Sequence, residues 1–215
     1  MSKRMPFVAA MLLGLVPVAG VHGQDQKVSE LVNDAFQAML MQNVSAITYS
    51  GTASTAGQAP VSYSRTIDLK RLASRATAPY NQLITPESPW AQQLEIWITP
   101  WGFLKGAAAN NATISSQRER RRLLTVLTWT AAQKSPSGTP YTVKGYINDA
   151  NFVQRVETSV DEAKVEANFD EYIQIGKLVL PVKISVTRAG APAFEVEITT
   201  GSSDPPNLTQ LLEKP

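Results

Sequence analysis

Apolar residues follow two different periods along the chain, and each period predicts a different element. Near the start they recur three and four positions apart, at Val28, Leu31, Val32, Ala35, Met39 and Leu40. Polar residues occupy the positions between them, at Asn33, Asp34 and Gln37. This spacing predicts an amphipathic helix over residues 28–41 that packs one face on a core.

Most of the remaining chain alternates apolar and polar residues, which is typical of strands with one buried face. Strands are predicted over residues 47–50, 61–69, 95–98, 122–130, 141–147, 152–160, 165–175, 178–187 and 194–199. Their consecutive order and short connections favour one long antiparallel sheet. The apolar face of such a sheet needs a cover, and the predicted helices are available to provide it.

A second, shorter helix is predicted within this series of strands. Thr99 and Pro100 mark its start, because threonine caps helices well and proline suits the first turn. The helix runs through Ala109, and Gly102 and Gly106 fall on one face, where a sheet can approach closely. The predicted fold class is therefore mainly β (α+β), with a long antiparallel sheet covered by an N-terminal helix and a short inserted helix.

Residues 1–23 have the features of a secretory signal peptide. Lys3 and Arg4 precede an apolar run over residues 6–20, and small residues follow it. The run is short and is broken by a glycine and a proline, so stable membrane insertion is not expected. Cleavage at the end of this segment is predicted to leave a periplasmic or secreted chain over residues 24–215. A retained N-terminal membrane anchor is the alternative.

Cleavage also changes the chemistry available to the chain. The full sequence has 215 residues, with 20 Lys and Arg, 18 Asp and Glu, one His and no Cys. The signal peptide contains two of the basic residues and the single histidine, His22, so the mature chain has no formal net charge. It lacks the residues for disulfides, Cys- or His-ligated zinc and Ser-His-Asp triads. No cofactor, metal or catalytic residue is predicted, and residues 24–215 are expected to form one domain.

One run of positive charge interrupts the alternating pattern, at Arg118, Arg120, Arg121 and Arg122. Such a run can bind nucleic acid or another anion, but no aromatic residue is interleaved with it. A solvated hairpin or strand edge is the favoured interpretation, because charges protect sheet edges from pairing. No nucleic-acid partner is expected.

The densest acidic residues are Asp161, Glu162, Glu166, Asp170 and Glu171. Alternation places Glu166 and Asp170 on one face of a strand, where paired carboxylates can bind calcium or act as acid and base. The spacing of a calcium loop is absent, and the surrounding residues are those of an ordinary strand. A solvated face is the favoured interpretation.

Large apolar side chains lie on the predicted strands and beside the second helix. The candidate lining of a ligand cavity comprises Tyr49, Trp97, Trp101, Phe103, Leu104, Trp129, Tyr146 and Phe169. Aromatic and aliphatic residues of this kind line most ligand cavities, so this set predicts an apolar pocket between the sheet and the helices. Plain packing in the core is the alternative, and the sequence alone favours it.

Several short motifs carry a resemblance to a known family. They are ITYSGTAS at 47–54, SYSRTID at 62–68, WITPWGFLKGA at 97–107, GYINDANFVQRVET at 145–158, FDEY at 169–172 and LPVKI at 180–184. Together they resemble the non-catalytic N-terminal region of exported bacterial metallo-β-lactamase-fold hydrolases. Segment 159–164 is shorter than that pattern, and Ala189 stands where one of two adjacent glycines is expected. The His-x-His-x-Asp-His zinc motif of the hydrolase domain is absent from this sequence, so hydrolase activity is not carried over.

The order of elements is also similar to that of the LolA/LolB lipoprotein carriers, in its leading helix, long sheet, inserted helix and late hairpin. That resemblance implies a half-barrel whose concave face holds acyl chains beneath helices. The implied function is binding of a lipid or other apolar ligand, with the helix over residues 100–109 as a movable cover. A structural or interaction module with a partner hydrolase is the alternative. An enzyme that uses only carboxylates, Ser, Lys, Tyr or Arg is a third interpretation.

Overall fold

The computed structural model of the protein describes residues 21–135, 137–160 and 162–213. The helices are α1 (Val21–Ala38), α2 (Trp90–Trp97), α3 (Pro100–Ala109) and α4 (Leu208–Leu212). The strands are β1 (Ala46–Thr55), β2 (Val61–Asp68), β3 (Ala73–Ala76), β4 (Leu83–Ile84), β5 (Thr113–Glu119), β6 (Arg122–Lys134), β7 (Pro140–Ile147), β8 (Val153–Val160), β9 (Ala163–Ile175), β10 (Leu178–Arg188) and β11 (Ala191–Ser203). Residues 1–20 of the predicted signal peptide lie outside the described residues. No helix within the described ranges is long and apolar enough to span a membrane.

The strands form one open, antiparallel sheet of eleven strands, in the order β4-β3-β2-β1-β11-β10-β9-β8-β7-β6-β5. The predicted fold class is confirmed, because the sheet curls into a half-barrel with helices. The first and last strands are neighbours in its middle, where β1 pairs with β11. The short connections β4 to α2 and α3 to β5 therefore start and finish at opposite edges of the sheet. Residues 85–112 must cross the concave face to join those edges.

The helices that cross the sheet supply much of the core. In α3, seven of the ten residues are buried, including Trp101, Phe103 and Leu104. The amphipathic helix α1 packs on α3 and on the edge strand β5. A smaller apolar cluster lies apart from this core and consists of Leu124, Val126 and Tyr146. The main core therefore occupies the concave face, where the helices exclude water from the sheet.

The segment Glu95–Ile98 is not a strand, so that prediction is wrong. It belongs to the end of α2, whose buried residues are Trp90, Gln93, Leu94, Ile96 and Trp97. These positions are three and four apart, which is helical spacing, whereas the shorter window Glu95–Ile98 also fits alternation. Short apolar runs do not distinguish strand from helix by periodicity alone.

The helix predicted over residues 100–109 is confirmed as α3, with the predicted start and end. Thr99 caps α3, because its hydroxyl accepts a hydrogen bond from the Gly102 amide at 3.1 Å and donates one to the Ile96 carbonyl at 2.6 Å. The first helix differs from its prediction, since α1 ends at Ala38 rather than at residue 41. Leu40 adopts a positive φ of 57°, which ends helical geometry before the apolar pattern stops.

Gly106 allows α3 to lie against the sheet as predicted. A Cβ atom at Gly106 would lie 2.2 Å from the Trp129 ring of β6, far inside van der Waals contact. The close contact at Gly102 is different, because a Cβ there would lie 2.0 Å from the Ile96 carbonyl oxygen of α2. Gly106 therefore allows the close approach to the sheet, whereas Gly102 allows the close approach of α3 to the end of α2.

The backbone conformation at Ala189 shows why glycine is expected at this position. Its φ is 49°, in the left-handed region, and the following Gly190 has a φ of 80°. These two residues form the turn between β10 and β11. A side chain in this region costs about 1–2 kcal/mol relative to right-handed geometry. Glycine would occupy the position without that cost.

We predict that Gly106→Ala destabilises the protein, although alanine is about 1 kcal/mol better than glycine inside a helix. The clash with Trp129 should outweigh that gain and leave a net loss of about 1–2 kcal/mol in the free energy of unfolding. Trp129→Phe removes the ring atoms involved, so the double variant should lose less than the two single variants added together. Ala108→Gly, at an exposed position of the same helix, measures the propensity effect alone. Urea denaturation of the four variants tests this, and an additive double variant would contradict it.

We also predict that Ala189→Gly raises the free energy of unfolding by up to about 1 kcal/mol, because glycine relieves the positive φ. The matched control is Ala191→Gly, two residues later at the start of β11. There the backbone is extended, so glycine should lower stability by about 0.5 kcal/mol. Thermal and urea denaturation measure both changes. Equal effects of the two substitutions would show that the turn geometry is not the cause.

Candidate ligand-binding cavity

An open cavity of about 460 Å³ lies on the concave side of the sheet, away from the packed tryptophans. Its walls come from β2 and β3 on one side and from β10 and β11 on the other, with α2 and the β3–β4 loop at its ends. The residues that line it are Tyr63, Arg65, Ala76, Tyr80, Gln82, Glu95, Val186, Arg188, Ala193 and Phe194. Its volume falls within the range of about 300–1,000 Å³ that small-molecule sites occupy.

Aromatic rings form one wall of the cavity. The rings of Tyr63 and Phe194 meet edge to face, with centroids 5.5 Å apart. Tyr80 lies 5.8 Å from Phe194 and is 57% exposed, which places it at the mouth. Tyr63 reaches inward to Tyr49 at 6.1 Å. An apolar ligand entering past Tyr80 would therefore meet a continuous aromatic surface.

A buried arginine lies among these apolar groups. Arg65 of β2 pairs with Tyr49 of β1, so both side chains project into the concave face. Arg65 is only 6% exposed. Its Nε donates a hydrogen bond to the Ser74 hydroxyl at 2.8 Å, whereas Nη2 is buried without a hydrogen-bond partner. Buried polar groups nearly always have a partner, so this guanidinium is only partly satisfied.

Glu95 of α2 faces two arginines from different parts of the sheet. Its carboxylate accepts a hydrogen bond from Arg188 of β10 at 2.7 Å. The separation from Arg65 is larger, with 3.9 Å between Oε2 and Nη1. Glu95 therefore joins α2 to both walls of the cavity. Two guanidinium groups and one carboxylate leave a net positive charge in the lining.

The environment keeps Arg65 charged and the nearby phenols neutral. Burial raises the pKa of Tyr49 well above its usual value, and burial also raises the pKa of Tyr63. Burial acts to lower the pKa of Arg65, but Tyr63, Tyr49 and Glu95 outweigh that effect and hold the pKa above its usual value. At neutral pH the cavity therefore presents a fixed cation beside two neutral phenols.

A narrow inner cavity of about 20 Å³ continues from the open one. The two share Arg65, Glu95, Val186 and Phe194. The inner cavity adds Tyr49, Ile98, Thr99, Ala167, Ile184 and Val196 to the lining. Arg65 thus lies where the open space narrows toward the core.

The predicted cavity residues are divided between four places. Trp97, Trp101, Phe103, Leu104 and Trp129 are buried in the packed core beside the open cavity. Their rings contact one another and the neighbouring wall, with Trp97 and Trp129 at 5.4 Å and Tyr49 and Trp101 at 5.7 Å. Tyr49 alone among these predicted residues lines the inner cavity. Phe169 lines another cavity, of about 690 Å³, with Phe152 and Tyr172.

Tyr146 lies on the convex face, apart from the other predicted residues. Arg155 stacks over its ring at 3.9 Å, and Lys144 lies 4.8 Å from the ring centre. Arg155 also forms ion pairs with Glu119 and Glu157. Tyr146 is therefore buried on the convex face beside Leu124 and Val126, beneath a layer of paired charges.

The two predicted charge clusters also lie at the surface of the protein. Arg120 and Arg121 form the hairpin turn between β5 and β6. Glu166 pairs with Lys164 at 2.8 Å. Burial acts to raise the pKa of Glu166, but Lys164 and Asn168 outweigh it and lower that pKa. Asp161 lies outside the described residues, and the part of the chain that the structure describes holds no group of three or more metal-ligating side chains.

The sequence reasoning missed Tyr63, Arg65, Tyr80, Glu95 and Phe194 as cavity residues. A signal for Arg65 was present, because alternation in β2 places it on the same face as buried Tyr63 and Ile67. An arginine on the apolar side of a strand is rare unless it is paired. Glu95 gave no such signal, because its segment was assigned to the wrong type of element.

Comparison with solved structures supports the half-barrel fold. A LolA superfamily protein from Nitrosomonas europaea aligns with a TM-score of 0.57 and 13% identity, over 87% of this chain and 97% of that chain. A DUF1329 family protein from Desulfovibrio piger aligns with a TM-score of 0.51 and 9% identity, over 84% of this chain and 93% of that chain. No protein-family model matches the chain, and no curated protein matches it in sequence. At these identities the likeness concerns the fold, and the chain has the LolA-like architecture that the order of its elements predicts.

Proposed function

We propose that this protein binds a lipid or other apolar ligand in the open cavity between β2, β3, β10 and β11. The observation that carries the proposal is the cavity of about 460 Å³ on the concave face, with its wall of aromatic rings. Burial of a ligand's apolar surface there would supply about 25 cal/mol per Å². The likeness in fold to a LolA superfamily protein supports the same class of function.

The positions of the predicted residues indicate which part of the concave face the ligand would occupy. The two tryptophans of α2 form a floor beside the cavity, because they pack on each other and on Trp129 of β6. The ligand contacts the neighbouring aromatic wall, at Tyr63, Tyr80 and Phe194. Most of α3 is buried, so it is not the movable cover. We assign that role to the loop that carries the exposed Tyr80. Binding involves no catalytic step in this proposal.

The proposal includes export of the mature chain as one domain over residues 24–215. The basic start and short apolar run over residues 1–23 support a signal peptide and a periplasmic or secreted location. A partner hydrolase belongs to the alternative interpretation, in which the domain serves as an interaction module. An interaction module needs no ligand in the cavity, so ligand binding distinguishes the two.

We predict that the protein binds N-phenyl-1-naphthylamine, a neutral apolar fluorophore, and that Ala193→Trp weakens this binding at least about tenfold, equivalent to about 1.4 kcal/mol. Ala193 lines the cavity, so an indole there would occupy the space of the ligand. Fluorescence titration measures the dissociation constants. Mass spectrometry of solvent extracts from native protein should identify bound lipid, which the variant should lack.

The control for this experiment is Thr187→Trp on the adjacent strand. Thr187 pairs with Glu166 on the convex face, so the added indole lies on the other side of the sheet. This variant should bind the fluorophore within about twofold of the wild-type protein. Equal binding by both tryptophan variants, or no binding and no extracted lipid from the wild type, would contradict the proposal.

A further inference from the structure

The buried Arg65 indicates that a ligand of the cavity carries a polar group as well as an apolar part. Arg65 is 6% exposed, and its Nη2 has no hydrogen-bond partner. Its nearest carboxylate, Glu95, makes the closer pair with Arg188, at 2.7 Å against 3.9 Å for Arg65. One carboxylate therefore serves two guanidinium groups, and Arg65 is the less well paired of the two.

The other groups around Arg65 do not neutralise it. Ser74 accepts a hydrogen bond from Nε and supplies no charge. Tyr49 and Tyr63 are neutral phenols at physiological pH, because burial raises the pKa of each. A buried cation without full compensation is unfavourable, and an anion placed beside it would remove that cost.

The position of Arg65 defines how a ligand would lie. Arg65 lines both the open cavity and its narrow inner end, whereas Tyr80 lies at the exposed mouth. A headgroup on Arg65 would therefore enter first, and an acyl chain would extend outward along Phe194 and Tyr63. A slender headgroup is required by the narrowing space. A carboxylate meets this requirement and matches the planar donors of a guanidinium.

We infer that the ligand is an amphiphile with one acyl chain and a carboxylate headgroup, a fatty acid, whose carboxylate pairs with Arg65. This inference rests on the proposed function and specifies its ligand class. The carboxylate would supply the close charge partner that Arg65 lacks, while Glu95 remains with Arg188. The aromatic wall then holds the chain without further polar contacts.

Three ligands with the same ten-carbon chain test the headgroup. Decanoate, 1-decanol and decyltrimethylammonium are each titrated against the full chain by displacement of N-phenyl-1-naphthylamine. The two ions are kept below their critical micelle concentrations, and 1-decanol is kept below its solubility limit. A hydrogen bond to a charged group corresponds to an affinity ratio of about tenfold or more. Decanoate should therefore bind at least about tenfold more tightly than 1-decanol, and the cation should bind most weakly. Equal affinity of decanoate and 1-decanol would overturn the inference.

Variants assign the preference to Arg65. Arg65→Met should abolish the preference, so that decanoate and 1-decanol bind this variant with about equal affinity. Arg65→Lys should keep part of the preference, because it retains the charge. The matched control is Arg75→Met on β3, which removes the same charge from a side chain that donates a hydrogen bond to the carbonyl of Glu213, the residue after α4. Preservation of the preference in Arg65→Met would overturn the assignment to this residue.

The outcomes separate this inference from the proposed function. Binding of 1-decanol without any preference for decanoate would leave the apolar site standing and reject the carboxylate. Failure of all three ligands and of the fluorophore would reject the site itself. If Arg65→Met does not fold, the ratio of decanoate to 1-decanol in the wild-type protein still decides the headgroup.

Discussion

The architecture depends on the pairing of β1 with β11, which brings residues from the two ends of the chain together in the middle of the sheet. Asp204 reinforces the junction, since its carboxylate accepts hydrogen bonds from the Ser45 and Ala46 amides at 2.8 and 2.9 Å. This junction leaves β4 and β5 as the two edges. The segment between them must then cross the concave face, and the crossing helices fill the core. Pairing across such a sequence separation carries a large entropic cost, which the burial of the concave face must offset.

The cover over that concave face is uneven, and the unevenness produces the cavity. The tryptophans of α2 pack on Trp129 of β6, and Trp101 of α3 packs on Tyr49 of β1, so large side chains cover this part of the curled sheet. Over β2, β3, β10 and β11 the cover is a loop and the side chain of Glu95. The open space that remains beside the well-packed core has a volume in the range of small-molecule sites.

The two ends of the cavity differ in charge. Arg65 places a cation at the narrow end, whereas the mouth is aromatic and partly exposed. The same carboxylate that partners Arg65 also connects α2 to Arg188, so the electrostatics of the cavity and the seating of the helix are linked through Glu95. A single ion pair at the surface contributes little, but a guanidinium that is almost fully buried must be compensated by its surroundings.

The sequence by itself determined the class of fold and most strands, because alternation over long segments such as β9 and β10 is an unambiguous signal. It also determined α3, whose cap and proline are local features that tertiary packing did not alter. It did not determine α2, because Glu95–Ile98 fits two periods over four residues and only the longer segment separates them. Tertiary structure alone decided which aromatic residues became core and which line the cavity. Trp97 and Phe194 look alike in sequence, but their surroundings come from strands and helices far away in the chain. Arg65 could be placed on the apolar face by alternation, whereas its partner Glu95 became visible only when the crossing helix brought it there.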